Sequence, residues 1–130
     1  MTEIRVLMGL HKKDWRAEVV SYASRQKYSV DAVSQENGLY IRPSGGDYTH
    51  FVVSPEFLAR GYAPTLNTVL RANKLARECK GRKATLLFLT EHVEHFNALR
   101  ANELDVCIFC PPTKVIFEAF FGGKSGNPIQ

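Results

Sequence analysis

Six of the chain's seventeen lysines and arginines fall in one thirteen-residue segment, RANKLARECKGRK, from Arg71 to Lys83. At 3.6 residues per turn, a helix through this segment has one apolar face and one basic face. The basic face carries Arg71, Lys74, Arg77 and Lys80, and Arg82 and Lys83 extend it past Gly81. Clustered cations neutralise phosphates, so the segment predicts a nucleic-acid contact. The alternative is a solvent-exposed helix face whose cations offset the helix dipole.

A second set of candidate side chains lies between positions 40 and 50. Alternation along predicted strands places the aromatic and basic ones on one face of a sheet, namely Tyr40, Arg42, Tyr48 and His50. Such groups stack on exposed bases and contact phosphates, which favours nucleic-acid binding. The alternative is an ordinary solvent-facing sheet, where tyrosine and arginine are common, or a face covered by a further helix.

The segment EHVEH, from Glu91 to His95, carries the residue types used in proton transfer and metal binding. His92 and His95 are three residues apart, so a helix places them on neighbouring positions of one side. The H-E-x-x-H spacing of zinc proteases and its inverted form are both absent. We therefore assign no catalytic residue and no metal site, and keep a hydrolase-like enzyme using His92, His95 and nearby carboxylates as a third hypothesis.

Two further motifs are weaker. Cys107 and Cys110 form a single CxxC inside a predicted strand, whereas structural zinc needs four ligands and a redox cysteine favours a helix N-terminus. The run Gly122–Ser125 lacks the first glycine of a phosphate-binding loop and has no room for a following helix. We predict core cysteines, a flexible tail and no cofactor.

Length and composition are those of one globular domain. The 130 residues are 45% hydrophobic and 23% charged, with a formal net charge of +4. Three cysteines in a chain long enough to build a core favour a reducing compartment. With neither a secretory leader pattern nor an apolar run of about 20 residues, the chain is predicted to be cytoplasmic, without membrane contact. A single domain is expected over 1–121, with a tail over 122–130.

In the first half of the chain, the elements that position these groups are predicted to be four strands and one helix. Strands are predicted over 4–8, 30–35, 39–42 and 48–53, and a helix over 14–27. Asn37-Gly38 is a strong hairpin signal because both central positions of that turn need positive φ. The three strands from 30 to 53 are therefore expected to form an antiparallel meander.

The second half predicts a different arrangement. Ser54-Pro55-Glu56 has the form of a helix start, and a longer helix is predicted over 64–80 with Gly81 as its stop. A strand over 84–89, a helix over 90–103 and a strand over 106–110 imply a parallel pair. Residues 115–121 are predicted as a strand because they are β-branched and aromatic. A helix, pairing Lys114 with Glu118, is the alternative.

The predicted order of a helix, antiparallel strands, a helix and a strand resembles the core of the restriction-endonuclease-like nucleases, over about residues 14–89. Those enzymes carry an acid-x-Lys signature on the third strand. Here that strand reads YTHFVVS, with neither acid nor lysine. The resemblance implies a fold order only, and no catalytic residue is carried over.

The sequence thus predicts a single α/β (α+β) domain. Its mixed sheet would join an antiparallel three-stranded meander to a parallel strand-helix-strand unit, with two to three packed helices. The first functional hypothesis is a non-catalytic protein that binds single-stranded or duplex nucleic acid through the basic helix and the sheet face. The second is a protein-interaction module, such as an adaptor, inhibitor or assembly subunit, with a protein partner or self-association.

Overall fold

The computed structural model describes residues 3–41, 47–59, 65–102, 107–109 and 113–122. These residues form five strands and five α-helices, together with one short 3₁₀ helix, Glu36–Tyr40. The strands are β1 (Arg5–Gly9), β2 (Ser29–Ala32), β3 (His50–Val53), β4 (Thr85–Thr90) and β5 (Cys107–Phe109). The helices are α1 (Lys13–Arg25), α2 (Pro55–Ala59), α3 (Leu66–Gly81), α4 (Val93–Ala101) and α5 (Lys114–Gly122). In the described chain, the predicted count of two to three helices is too low.

The sheet has the order β2-β1-β3-β4-β5, and every pair of neighbours is parallel. Four strands form its body, and the three-residue β5 extends it beyond β4. The mixed sheet expected from the sequence is therefore wrong, because the described strands contain no antiparallel pair. The parallel strand-helix-strand unit of β4, α4 and β5 is confirmed.

The antiparallel meander fails at its predicted turn. Asn37-Gly38 lies inside the 3₁₀ helix, not between two paired strands. Leu39, predicted to start the return strand, is fully buried in that helix and packs with Leu7 and Phe51 in the core. Burial of one leucine thus overrides the hairpin signal, and the chain crosses from β2 to β3 instead of folding back. The order of elements that resembled the nucleases loses its antiparallel strands with this correction.

The last element corrects the prediction of a strand over 115–121. These residues form α5, in which Phe117, Phe120 and Phe121 share one buried face. The rings of Phe117 and Phe121 lie 5.2 and 5.6 Å from the ring of Tyr22 on α1. Helical spacing places the three aromatic rings on one buried face, whereas a strand would divide them between two faces. Packing therefore outweighs the intrinsic β preference of this segment.

Helices cover both faces of the sheet. One core cluster joins the sheet to the 3₁₀ helix, α2, α3 and α4, and a second joins it to α1 and α5. Residues of β1 alternate between the two clusters, with Leu7 in the first and Val6 and Met8 in the second. This three-layer arrangement accounts for strands that are apolar on both sides. No helix in the described ranges is long and apolar enough to span a bilayer.

Two helices end at a lysine with positive φ. Lys27 (φ 62°) follows α1, and Lys83 (φ 58°) follows α3. In each case the next residue's N–H returns to the helix, from Tyr28 to the Ala23 carbonyl and from Ala84 to the Cys79 carbonyl. Gly81, predicted as the stop of α3, lies within the helix. The predicted tail is outside the described residues apart from Gly122, so the domain boundary stays a prediction.

Candidate functional site at the carboxyl edge of the sheet

The ends of three adjacent strands bring together four ionisable side chains. His11 follows β1, Glu56 follows β3, and Glu91 and His92 follow β4. Because β1, β3 and β4 are parallel neighbours, their carboxyl ends meet at the same edge of the sheet. The connection after β1 leads to α1 on one face and that after β3 to α2 on the other, which opens a crevice between them.

His11 is held through both ring nitrogens. Its Nδ1 lies 3.0 Å from Ser54 Oγ, and its Nε2 lies 2.7 Å from Glu91 Oε2. Ser54 Oγ also accepts the backbone N–H of His11 at 3.1 Å, so its own proton is available to Nδ1. This pattern assigns the proton of a neutral His11 to Nε2, where it is donated to Glu91.

Glu56 connects the second histidine to the interior. Its side chain is 1% exposed, and Oε2 accepts hydrogen bonds from Thr90 Oγ1 at 2.5 Å and His92 Nδ1 at 2.6 Å. Burial alone would raise the pKa of this carboxyl. The hydrogen bonds from Thr90 and His92 outweigh burial and leave the pKa of Glu56 below its ordinary value, so the group is an anion at neutral pH.

The other oxygen of Glu56 is buried and has no hydrogen-bond partner among the described residues. It lies 3.9 Å from Nδ1 of His11. An unpartnered carboxylate oxygen is costly in the interior, and here it faces a ring that can take up positive charge. The rings of His11 and His92 are 6.4 Å apart, on either side of this carboxylate.

Glu91 completes the cluster. Partial burial opposes its ionisation, but hydrogen bonds from His11 and Lys12 outweigh it and lower the pKa of Glu91. Lys12 Nζ lies 3.1 Å from the second Glu91 oxygen. Both carboxylates are therefore ionised and each orients a histidine, as the outer carboxylates of many catalytic sites do.

Hydrogen bonds connect Ser54 to His11 and His11 to Glu91, as in a serine-histidine-acid triad. Ser54, however, is fully buried, and its oxygen already accepts a backbone N–H. A buried hydroxyl cannot reach a substrate carbonyl, so Ser54 is a positioning group for His11 and not a nucleophile. Among the described residues, no group of three or more His, Cys, Asp or Glu side chains has the arrangement of a metal site.

A cleft of about 500 Å³ lies beside His11. It is lined by Leu10, His11, Arg16, Ala32, Val33, Ser34 and Phe57. Two glycines lie directly beneath its apolar walls. A Cβ on Gly9 would lie 2.9 Å from the Phe57 ring, and one on Gly38 would lie 2.8 Å from Val33. Both walls therefore depend on the absence of a side chain beneath them.

The six basic residues predicted from RANKLARECKGRK divide into two groups. Arg82 has no exposed side-chain surface and pairs with Asp47 and Glu78, so its role is structural. Arg71 donates to the Leu58 carbonyl at 2.9 Å and lies 3.4 Å from Glu36. Besides Arg71, which is also exposed, the exposed cations are Lys74, Arg77, Lys80 and Lys83, and Lys74 lies over the ring of Tyr40.

The residues predicted as a stacking face are separated. Tyr40 packs on the α3 side of the sheet, where burial raises its pKa to about 12. Tyr48 is on the same side and donates to Asp31. His50 instead contacts Phe120 and Phe121 of α5, and burial lowers its pKa to about 4. Arg42 lies outside the described residues.

Of the two histidines in EHVEH, the structure places one in the cluster. His92 precedes α4 and bonds to Glu56, whereas His95 is fully buried. Sequence reasoning missed His11 and Glu56, which lie 80 and 35 positions from Glu91. The available signal was their position directly after predicted strands, although the meander would have separated them. Cys79 is a buried free thiol whose pKa burial raises to about 12, and Cys110 is outside the described residues.

Comparison with known proteins supports the fold. No family model matches the sequence, and no curated protein matches it. A structure of the yeast Spc42 trimeric coiled coil fused to a second protein is similar with a TM-score of 0.60 and 15% identity, over 94% of this chain and 76% of that one. A de novo designed Rossmann 2x3 fold protein, solved by NMR, is similar with a TM-score of 0.58 and 12% identity, over 99% and 94%.

Proposed function

We propose that the chain binds a small organic ligand at the carboxyl edge of the sheet and exchanges protons with it through His11 and His92. The observation that carries this proposal is the convergence of Glu56, Glu91 and two histidines from three distant segments, with His11 lining a cleft. A cleft of about 500 Å³ is within the usual range of ligand sites, and α/β sheets bind ligands at this edge.

The carboxylates give the two histidines defined roles. Glu56 accepts the Nδ1 proton of His92, which fixes the ring and places its lone pair on Nε2. Glu91 accepts the Nε2 proton of His11, which places the lone pair of that ring on Nδ1. When His11 takes up a proton at Nδ1, Ser54 Oγ becomes the acceptor of that N–H, and the second oxygen of Glu56, 3.9 Å away, stabilises the imidazolium. A general acid or base needs this combination of exchangeable proton and fixed orientation.

An NMR titration of the histidine rings tests the proposal. The protein, labelled in its four imidazoles, is mixed with nucleosides, nucleotides, sugar phosphates and aromatic acids. A ligand is expected to shift the ring signals of His11 and His92, while His50, at the opposite edge of the sheet, stays unshifted. Glu56→Gln should alter the His92 response, and Glu18→Gln, an exposed change on α1, should not. Failure of every compound to shift His11 and His92 would contradict the proposal.

A second candidate function rests on α3. Four exposed cations, Lys74, Arg77, Lys80 and Lys83, favour a contact with phosphates of single-stranded or duplex nucleic acid. Fluorescence anisotropy with RNA, single-stranded DNA and duplex DNA, at about 50 and 200 mM salt, measures this binding. The contact predicts an affinity that falls steeply with salt and is lost in Arg77→Glu/Lys80→Glu but kept in the matched variant Lys13→Glu/Arg25→Glu. Equal losses in both pairs would contradict it.

A further inference from the structure

We infer that the ligand of the carboxyl-edge cleft is an organic anion with a flat apolar body, and that Arg16 binds its anionic group. The inference rests on the proposed function, since it specifies the ligand class of the same site. It depends on three properties of the cleft: the guanidinium of Arg16, which pairs with none of the described carboxylates, the pairing of the nearby acids, and the apolar walls.

Arg16 is fixed in place but has donors to spare. It is half-buried at the second turn of α1, and its Nη1 donates to the Leu10 carbonyl at 2.8 Å. No carboxylate in the described part of the chain pairs with it. A guanidinium has five N–H donors, so several remain for a ligand. Its planar, permanent charge suits bidentate binding of a carboxylate or phosphate.

The acids near the cleft are already engaged. Glu91 is neutralised by Lys12 and His11, and Glu56 accepts from Thr90 and His92. Neither carboxylate lines the cleft, whose described lining contains one permanent charge, that of Arg16. The electrostatic field inside the cleft is therefore set by a cation, and in a partly desolvated site this favours an anion strongly.

The remaining walls are suited to an apolar, planar group. Phe57 packs over Gly9 and Val33 packs over Gly38. Leu10 and Ala32 complete the apolar surface. An aromatic ring against Phe57 would gain stacking energy in addition to burial. Arg16 at one wall and the apolar residues at the others therefore fit a ligand with one charged end and one flat end, as in a nucleotide or an aromatic acid.

Matched pairs of probes test the inference, each pair differing in the anionic group. The pairs are AMP and adenosine, UMP and uridine, phenyl phosphate and phenol, and benzoate and benzyl alcohol. Calorimetry measures affinity and imidazole NMR locates the contact. At least one anion should bind about tenfold or more tightly than its uncharged counterpart, which is the usual scale of one charge-assisted contact. The phosphate and benzoate pairs separate the two sources of negative charge.

Variants of Arg16 separate charge from structure. Arg16→Gln keeps a donor for the Leu10 carbonyl but removes the charge, and should abolish the preference for the anion. Arg16→Lys should keep part of it. Arg25→Gln, on the last turn of the same helix, is the control and should change neither affinity. Melting temperatures of all variants establish that the fold is retained.

Three outcomes overturn the inference: no anion binds, each anion and its uncharged counterpart bind equally, or Arg16→Gln leaves the preference unchanged. If adenosine binds as well as AMP and shifts His11 and His92, the inference fails and the proposed function stands. If AMP binds through Arg16 while both histidines stay unshifted, the anion site stands and the proton-transfer function fails.

Discussion

Two groups of charged residues, the carboxyl-edge cluster and the basic segment on α3, differ in how they are held. The carboxyl-edge cluster is assembled from three segments, its charges face one another, and Glu56 is buried. The basic segment on α3 is contiguous, and five of its six cations are exposed to solvent. Its C-terminal end leads into β4, which places Lys80 to Lys83 at the amino edge. Charges that are dense in the sequence are therefore mostly exposed, whereas the carboxyl-edge cluster is assembled by the order of the strands.

Arg82 shows the same contrast within the basic segment. It has the same charge as Arg77, but it is buried against the Phe51 ring and paired with Asp47. Its hydrogen bond to Asp47 raises the pKa of the guanidinium further, despite the opposing effect of burial. One residue of the segment therefore stabilises the fold while its neighbours remain available to a ligand.

The largest expected effect is at Glu56. Glu56→Ala removes the acceptor of Thr90 and His92 and should lower the free energy of unfolding by about 3 kcal/mol, the scale of breaking a buried ionic contact. Glu18→Ala, an exposed carboxylate, should change it by less than about 0.5 kcal/mol. Urea unfolding measures both. Similar values for the two variants would remove the distinction between the buried cluster and an ordinary charged surface.

A smaller effect is expected inside the basic segment. Arg82→Ala should destabilise by about 2 kcal/mol, because it removes the ion pairs of Arg82 with Asp47 and Glu78 and opens space beside Phe51. Arg77→Ala should stay within about 0.5 kcal/mol of the parent protein. The same urea measurement applies. Equal destabilisation by the two substitutions would show that the exposed cations are also structural.

The two edges should respond to acid in different pH windows. His50, near the amino edge, has its pKa lowered from 6.5 to about 4 by burial, so the unfolded chain takes up its proton first and stability falls between these values. Glu56 has a folded pKa below its ordinary 4.5, so its contribution is present above pH 4.5 and is lost as the pH falls through the folded value.

Unfolding curves between pH 7 and pH 3 separate the two contributions. His50→Gln should flatten the fall in stability above pH 4.5, and Glu56→Gln should flatten the fall below it. If both variants flattened the same part of the pH curve, the two edges would not be independent.

The smallest expected effect concerns Lys83. Its positive φ is unfavourable for a residue with a side chain, so Lys83→Gly should stabilise the domain by about 0.5–1 kcal/mol. Lys27→Gly after α1 should do the same. Thermal unfolding gives the comparison. Loss of stability in both variants would contradict the assigned backbone conformation.

Patterns local in sequence predicted local structure well. The strand over 84–89 and the helix over 64–80 correspond to β4 and α3, because their apolar periods reflect one packing face each. The Asn37-Gly38 turn and the aromatic segment 115–121 were misread. In both, burial against distant residues decided the conformation, and that burial is invisible in a short window.

The site was predictable only in part. His92 was singled out with Glu91 and His95, because the three are close in sequence. Its partner Glu56 is 36 residues away, and His11 lies 80 residues from Glu91. Only the parallel order of the strands brings them together, and the sequence predicted an antiparallel order there. An error in topology therefore became an error in the site.

The most direct measurement of the central claim is imidazole NMR of the intact chain during titration with AMP, repeated in Arg16→Gln. The account predicts that the ring signals of His11 and His92 shift with AMP, that His50 does not, and that the shifts require far more AMP in the variant. Unchanged His11 and His92 signals at saturating AMP, or a shift of His50 alone, would contradict it.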